Sequence, residues 1–302
     1  MMSSDQHQII TDPVWGHLRV EPVPAADELS EYYESKYYDL IQQGGRALEL
    51  QRLIAGGKEA DATRNWLHHT LYDTLVAALE AAPGRRVLDV GCGIGEFIAY
   101  AEQCGFSAQG VEPAKQAVEL AQSQGLSVEL GNLADFARNH SDARFDAVTF
   151  LNVVEHSPEP IALLEQARDL LNDGGLLICR LPNDFSPIQE LARQKNEVRR
   201  WWVVVPDHIS YFNFDNFPPI LERLGFSIED TMGDYPMEFF LLMGRDYITH
   251  PELGKACHLE RVQLEMSMPP EQLRSMYRGF ASAGIGRNAL FVARKNRSCD
   301  QR

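Results

Sequence analysis

The sequence predicts an α/β fold, a parallel sheet with helices on both faces. Three observations carry that prediction. From Val87 onward short β-rich runs alternate with helical stretches, glycines close the helical stretches, and the first β-rich run feeds a glycine-rich loop, "VLDVGCGIGEF".

Taken in order, residues 1–84 read as an N-terminal helical segment, with helical stretches "DELSEYYESKYYDLI" and "ADATRNWLHHTLYDTLVAALEAA". At about 100° per residue, Leu29, Tyr33, Tyr37, Leu40 and Ile41 share one face, as a core stripe does. Tyr32 and Tyr38 fall to either side of it, which allows a lid over a ligand. The core spans 85–230. "RRVLDV", "FSAQGVE", "LSVEL", "RFDAVTFL" and "LLICRLP" read as strands. "GEFIAYAEQCG", "AKQAVELAQSQG" and "PIALLEQARDLLNDGG" read as helices among them, stopped by Gly105, Gly125 and the pair Gly174 and Gly175. "NFPPILERLGFSIED" adds a late helix and strand. Residues 231–284 are too many for a turn and carry helical patterns, so they read as an inserted helical cap. The last strand, "RNALFVARK", and a short tail fill 285–302.

At 302 residues, 44% hydrophobic and 24% charged, the composition is that of a soluble globular protein. A formal charge of -15 argues against nucleic acid as a partner, because phosphate binding depends on Lys and Arg. No run approaches the roughly 18 apolar residues of a membrane span, and "MMSSDQHQII" lacks a basic start followed by an apolar run, so a cytoplasmic protein without a membrane partner is expected. Cys92, Cys104, Cys179, Cys257 and Cys299 form no CxxC pair. Reduced thiols and no metal site follow.

The loop narrows the choice of ligand. Glycines after a strand and before a helix let the backbone approach a ligand closely, with free helix amides pointing at it. A dinucleotide fingerprint spaces them G-x-G-x-x-G; here they are Gly91, Gly93 and Gly95, with Cys92 between the first two and Glu96 following, an acid ill suited to a diphosphate. Asp89, two residues before Gly91, offers a carboxylate where the strand ends, and a cofactor bearing an amino acid group has the ammonium to meet it. Glu112, followed by Pro113, ends the second strand 21 residues after Gly91, where a carboxylate accepts hydrogen bonds from ribose hydroxyls. After the third strand, Asn132 either presents its amide to an adenine edge or serves as a turn residue, and Leu133 can pack on the ring.

These residues resemble the class I S-adenosylmethionine-dependent methyltransferases. "VLDVGCGIGEF" is similar to that family's first motif, "GVEP" to its acidic second-strand end, and "FDAVTFLNVVEHSPEPIALLEQARDLLNDGGLLICRLPN" to its fourth strand, following helix and fifth strand. "PDHISYFNFDNFPPILERLGF" and "GIGRNALFVARK" match more weakly the late part of the small-molecule branch, which includes the ubiquinone-type O-methyltransferases. The resemblance implies a Rossmann-like sheet of about seven strands with the last antiparallel. It further implies that Asp89 and the Gly91 to Gly95 loop hold the methionine part of S-adenosylmethionine, Glu112 the ribose, and Asn132 with Leu133 the adenine. Asn152 would border the methionine. The entry segment "LRVEPVPAADELSEYYESKYY" is similar to one found in deoxysugar C-methyltransferases that carry a zinc ribbon, but the first cysteine here is Cys92, so the ribbon is missing and a sugar-nucleotide acceptor is not implied.

Transfer to a small-molecule acceptor through O, N or C is therefore expected. A nucleotide-dependent oxidoreductase and a non-catalytic module on the same fold are the alternatives. Such a transfer is an in-line displacement, governed by alignment and helped by a base. His156 in "VVEHSPEP" and His208 in "VVVPDHISYF" are the candidates, since imidazole titrates near neutrality. Glu155 reads as a solvated acid or as one that orients His156, Tyr211 as secondary, and Trp201 and Trp202 as packing residues or as the lining of a pocket.

Overall fold

The structure is a computed structural model that describes residues 7–24 and 48–297. The expected stripe of Leu29, Tyr33, Tyr37, Leu40 and Ile41, with Tyr32 and Tyr38 beside it, lies outside the described residues, as does Cys299. The strands are β1 (Gln8–Thr11), β2 (Leu18–Glu21), β3 (Arg86–Val90), β4 (Ser107–Glu112), β5 (Val128–Leu130), β6 (Phe145–Leu151), β7 (Leu171–Pro182), β8 (Ser210–Tyr211), β9 (Phe226–Gly233) and β10 (Asn288–Lys295). The helices are α1 (Leu48–Ala55), α2 (Gly57–Leu67), α3 (Asp73–Leu79), α4 (Glu96–Gln103), α5 (Lys115–Ser123), α6 (Leu133–Asn139), α7 (Pro160–Leu170), α8 (Pro187–Asn196), α9 (Phe217–Arg223), α10 (Glu238–Leu242), α11 (Glu252–Met266) and α12 (Pro270–Ser282).

Seven strands form a mixed sheet in the order β5-β4-β3-β6-β7-β10-β9. β3 lies parallel to β4 and β6, β4 parallel to β5, and β10 antiparallel to β9. This is the expected fold class, with the late antiparallel strand where it was anticipated. The physical basis is local. β3 is buried from Val87 to Val90, as a central parallel strand must be, whereas α5 buries Ala117, Val118 and Ala121 along one stripe. Gly105 (φ 86) and Gly125 (φ 82) follow the last residues of α4 and α5 in the left-handed conformation, ending each helix.

Two features differ from expectation. First, α7 ends at Leu170 and β7 begins at once, ahead of Gly174 and Gly175. A Cβ on Gly175 would stand 2.9 Å from the Asn172 carbonyl and 3.2 Å from that of Asp146, so this glycine serves a close backbone approach inside the strand's first half. Second, the N-terminal segment is not wholly helical: β1, β2 and β8 form an antiparallel three-stranded sheet. It is pinned by His17 stacked on Phe212 at 5.1 Å and by Arg223, which lies 4.0 Å over Trp15 and donates to the Val14 carbonyl.

The chain divides into two compact units. One holds Pro24–Leu151, Glu165–Leu177 and Arg297–Arg302; the other holds Met1–Val23, Asn152–Leu164 and Ile178–Asn296. In the first, Leu53, Ile94, Ala114 and Ala117 pack beside the glycine loop. In the second, Tyr235, Met237, Phe240 and Cys257 cluster with Phe239, Tyr247 and Phe280 around α10, α11 and α12.

Candidate functional site

In the first unit the glycine loop is drawn together by its own amides. Gly91 and Cys92 donate to the Val111 carbonyl, Gly95 donates to that of Cys92, and Gly93 donates to Glu112 Oε2 at 2.9 Å. Gly91, Gly93 and Gly95 all have positive φ (68°, 55° and 81°), which a side chain would strain. Across the loop, Gly110 of β4 leaves the space that Cys92 fills: a Cβ there would stand 2.4 Å from Cys92 Sγ.

Both strand-end carboxylates face this loop's unit from buried positions. Asp89, 2% exposed, pairs in register with Thr149 of β6 and accepts its hydroxyl at 2.6 Å. Burial pushes the Asp89 carboxyl up to about 7; the Thr149 bond opposes this and the Glu112 charge adds to it. Glu112 is also raised by burial, against the bonds it accepts from Ala114 and Gly93. Burial, then the Asp89 and Glu112 charges, hold the Cys92 thiol well above its ordinary range, so it is a packing thiol and not a nucleophile. Pro113 is exposed beside Glu112, and Leu133 is buried. Asn132 is the N-cap of α6, its Oδ1 accepting from the Asp135 amide at 2.9 Å.

Sequence reading missed one partner here. Arg64 of α2 forks onto Glu96, the first residue of α4, through Nε and Nη2, both at 2.9 Å. The two lie 32 residues apart, and nothing local in either stretch marks the pair. A π-helical turn, His68–Tyr72, follows α2 and sets His68 4.3 Å from the Tyr100 ring.

In the second unit Asn152 (φ 60) begins the loop after β6. Its side-chain oxygen accepts from Arg180, and its amide nitrogen donates to Glu155 Oε1 at 3.2 Å and to Asn288 Oδ1 at 3.4 Å. Glu155 corrects the sequence expectation: it is 1% exposed, not solvated, because the turn Val154–His156 folds it inward. Burial pushes its carboxyl up to about 7, with His208 and Asn152 acting against this.

The two candidate histidines come together, with ring centroids 5.2 Å apart. His156 Nδ1 lies 2.6 Å from the Asp207 carbonyl, which can only accept. A proton therefore sits on Nδ1, so that the neutral ring carries its lone pair on Nε2, 3.8 Å from Glu155 Oε1. His208 Nδ1 lies 3.5 Å from Asp184 Oδ2. Glu155, His156 and His208 offer ligand atoms within 4.8 Å of one another, a spacing that could hold a metal ion and that the scattered sequence positions did not signal. Tyr211 is buried and donates to the His208 carbonyl, and Trp202 packs edge-on to Phe185 at 5.6 Å. Cys92, Cys104, Cys179 and Cys257 are free thiols.

The chain is similar to known methyltransferases. A family model described as a methyltransferase domain matches residues 64–231. The ubiquinone biosynthesis O-methyltransferase of Cereibacter sphaeroides is 35% identical over 111 residues, covering 34% of this chain and 45% of that protein. The enzyme of the same description from Xanthomonas campestris pv. campestris is 36% identical over 114 residues, covering 36% and 47%. The chain thus spans about half the length of the curated relatives it matches. Among solved structures, magnesium protoporphyrin IX methyltransferase (ChlM) from Synechocystis PCC 6803 with bound SAH superposes with a TM-score of 0.54 at 17% identity, covering 90% of this chain and all of that one. The (4+2)-cyclase SpnF superposes equally well, 0.54 at 16% identity over 92% of this chain and 99% of its own. A single fold thus underlies differently named activities. With a family match over more than half its length, the chain belongs to the methyltransferase-domain family and carries the Rossmann-like fold of S-adenosylmethionine-dependent methyltransferases.

Proposed function

We propose that the protein transfers a methyl group from S-adenosylmethionine to a small-molecule acceptor in a biosynthetic step, in a cytoplasmic setting. The observation that carries this reading is Asp89. It is a buried carboxylate that, among the described residues, has a hydroxyl and a repelling carboxylate for neighbours and no Lys, Arg or His paired with it. A buried carboxylate in that position is costly unless a cation meets it. The ammonium of the cofactor's methionine part fits. Glu112 has lone pairs beyond those used by Gly93 and Ala114 for ribose hydroxyls, the positive-φ loop admits the methionine backbone, and Asn132 with Leu133 takes the adenine. S-adenosylmethionine supplies an electrophilic methyl group. The chain's own work is alignment, worth roughly 7–11 kcal/mol of barrier in well-oriented cases, and removal of the acceptor's proton where it has one.

For that proton His156 is the base, its Nε2 lone pair directed by the Asp207 carbonyl on Nδ1, with His208 beside it. A base contributes about 10²–10⁴-fold. Asn152 accepts from Arg180 and donates to Glu155, which holds Glu155 in place.

Calorimetry with S-adenosylhomocysteine, the demethylated cofactor, tests the reading. Saturable binding that Asp89→Ala and Glu112→Ala each weaken by at least about tenfold, in folded protein, is expected. Absence of binding at high micromolar cofactor, or full affinity in both variants, would remove its basis.

A further inference from the structure

Among the buried oxygens of the second unit without a hydrogen-bond partner among the described residues are Glu155 Oε2, Asp184 Oδ2, Gln189 Oε1 and Glu238 Oε2. Their residues are 1%, 3%, 4% and 1% exposed, in that order. They converge on Asp184. Gln189 donates to its Oδ1 at 3.4 Å, His208 stands 3.5 Å from its Oδ2, and the charges of Glu155 and Glu238 both lie within range of its own. The loop that carries Asp184 is firmly held, since its amide donates to the Phe212 carbonyl and its carbonyl accepts from Asn213. Phe185 (φ 56) turns that loop and sets its ring edge-on to Trp202 and Tyr211.

Native folds leave few buried acceptors without donors, because the desolvation cost is not recovered. Four around one carboxylate mark a place where donors arrive with a ligand. Its chemistry is weighted to acceptors, although Trp202 Nε1, on the ring against Phe185, is a buried donor without a partner among the described residues. Three of the four groups are carboxylates, and the basic side chains facing them are His208 at Asp184, His156 at Glu155 and Arg287 near Glu238. A ligand carboxylate or phosphate would add acceptors and like charge to a site already rich in both. Hydroxyl or ammonium groups would complete it.

Resting on the transferase reading above, we infer that this cluster is the acceptor subsite, and that it selects a methyl acceptor rich in hydrogen-bond donors, hydroxyl or ammonium, while rejecting carboxylates and phosphates.

The test uses three phenols of matched size that differ at one end: tyramine (ammonium), tyrosol (hydroxyl) and 4-hydroxyphenylacetate (carboxylate). Each is titrated by calorimetry into the full chain, treated with chelator and saturated with S-adenosylhomocysteine. Tyramine and tyrosol are expected to bind, and 4-hydroxyphenylacetate at least about tenfold more weakly. Tyramine ahead of tyrosol assigns the ammonium; parity assigns the hydroxyl. Asp184→Asn is expected to bring the carboxylate probe within about threefold of tyrosol. Glu238→Gln, expected to act in the same direction, serves if Asp184→Asn loses its fold. Carboxylate binding as tight as that of tyrosol overturns the inference. So does the binding of none of the three while the cofactor product still binds, since water alone then satisfies these oxygens. Failure of S-adenosylhomocysteine to bind would defeat the transferase reading itself, and this subsite with it.

Discussion

Asp89 links stability, pH and cofactor affinity in one side chain. Its carboxyl, ordinarily near 3.8, is held at about 7 in the folded chain. Between those two values the folded state binds more protons than the unfolded one, so stability falls as pH rises through this window and levels off above it. The scale is about 1.4 kcal/mol for each unit of displacement. Asp89→Asn is therefore expected to raise the melting temperature relative to the parent at pH 8 and to leave it nearly unchanged at pH 4, while weakening S-adenosylmethionine binding. Thermal melts at the two pH values check the sign; a parent that melts higher than the variant at pH 8 would contradict it. An ammonium beside the carboxylate pulls its pKa down, so binding should release a proton near neutrality, and affinity should grow from pH 6 to pH 8. Titrations in buffers of different ionisation enthalpy read that proton directly.

At the scale of elements, the glycine loop and β4 depend on a missing side chain. Gly110 must leave room for Cys92 Sγ and for Ile98 Cδ1, which would stand 2.4 Å and 2.6 Å from an added Cβ. Gly110→Ala drives that methyl into the strand-to-helix turn, where overpacking costs typically about 1–3 kcal/mol. The turn is also where the cofactor's methionine part is proposed to lie. The expected outcome is a protein with lowered denaturant midpoint and cofactor affinity reduced by at least about tenfold. A destabilised variant with parental affinity would show that the loop can shift without cost to the ligand.

At the scale of the whole molecule, buried charges tie α11 and α12 of the second unit to its strands. Glu265, fully buried in α11, accepts from Arg261 and from the Tyr277 hydroxyl of α12 at 2.6 Å. Arg261 reaches Asp234 at 3.3 Å, which also accepts from Arg180 at 3.0 Å and from Asn288. Burial alone would raise the Asp234 carboxyl, yet Arg261, Arg180 and Asn288 together hold it below its ordinary value. Removing one partner strands the others in a poorly solvated place. Arg261→Met is expected to cost about 3–5 kcal/mol, read as a fall in melting temperature that saturating S-adenosylhomocysteine recovers only in part. A variant within about 0.5 kcal/mol of the parent would show the network to be dispensable. Among the described residues no helix is long and apolar enough to cross a membrane.

The core's element order, the loop and the two strand-end carboxylates were legible in the sequence, because hydrophobic period, glycine punctuation and the position of an acid at a strand's end are written within a few residues of one another. Pairings across long separations were not. His156 takes its tautomer from a carbonyl 51 residues away, Arg180 meets Asp234 across 54, and β2 pairs with β8 through Leu18 and Tyr211. Glu155, adjacent to His156 in "VVEHSPEP", looked like a solvent-facing acid, and only folding placed it inside. Local periodicity specifies which face of an element is apolar; which distant polar group meets a buried side chain is decided by packing alone, and here that decision created the cluster assigned to the acceptor.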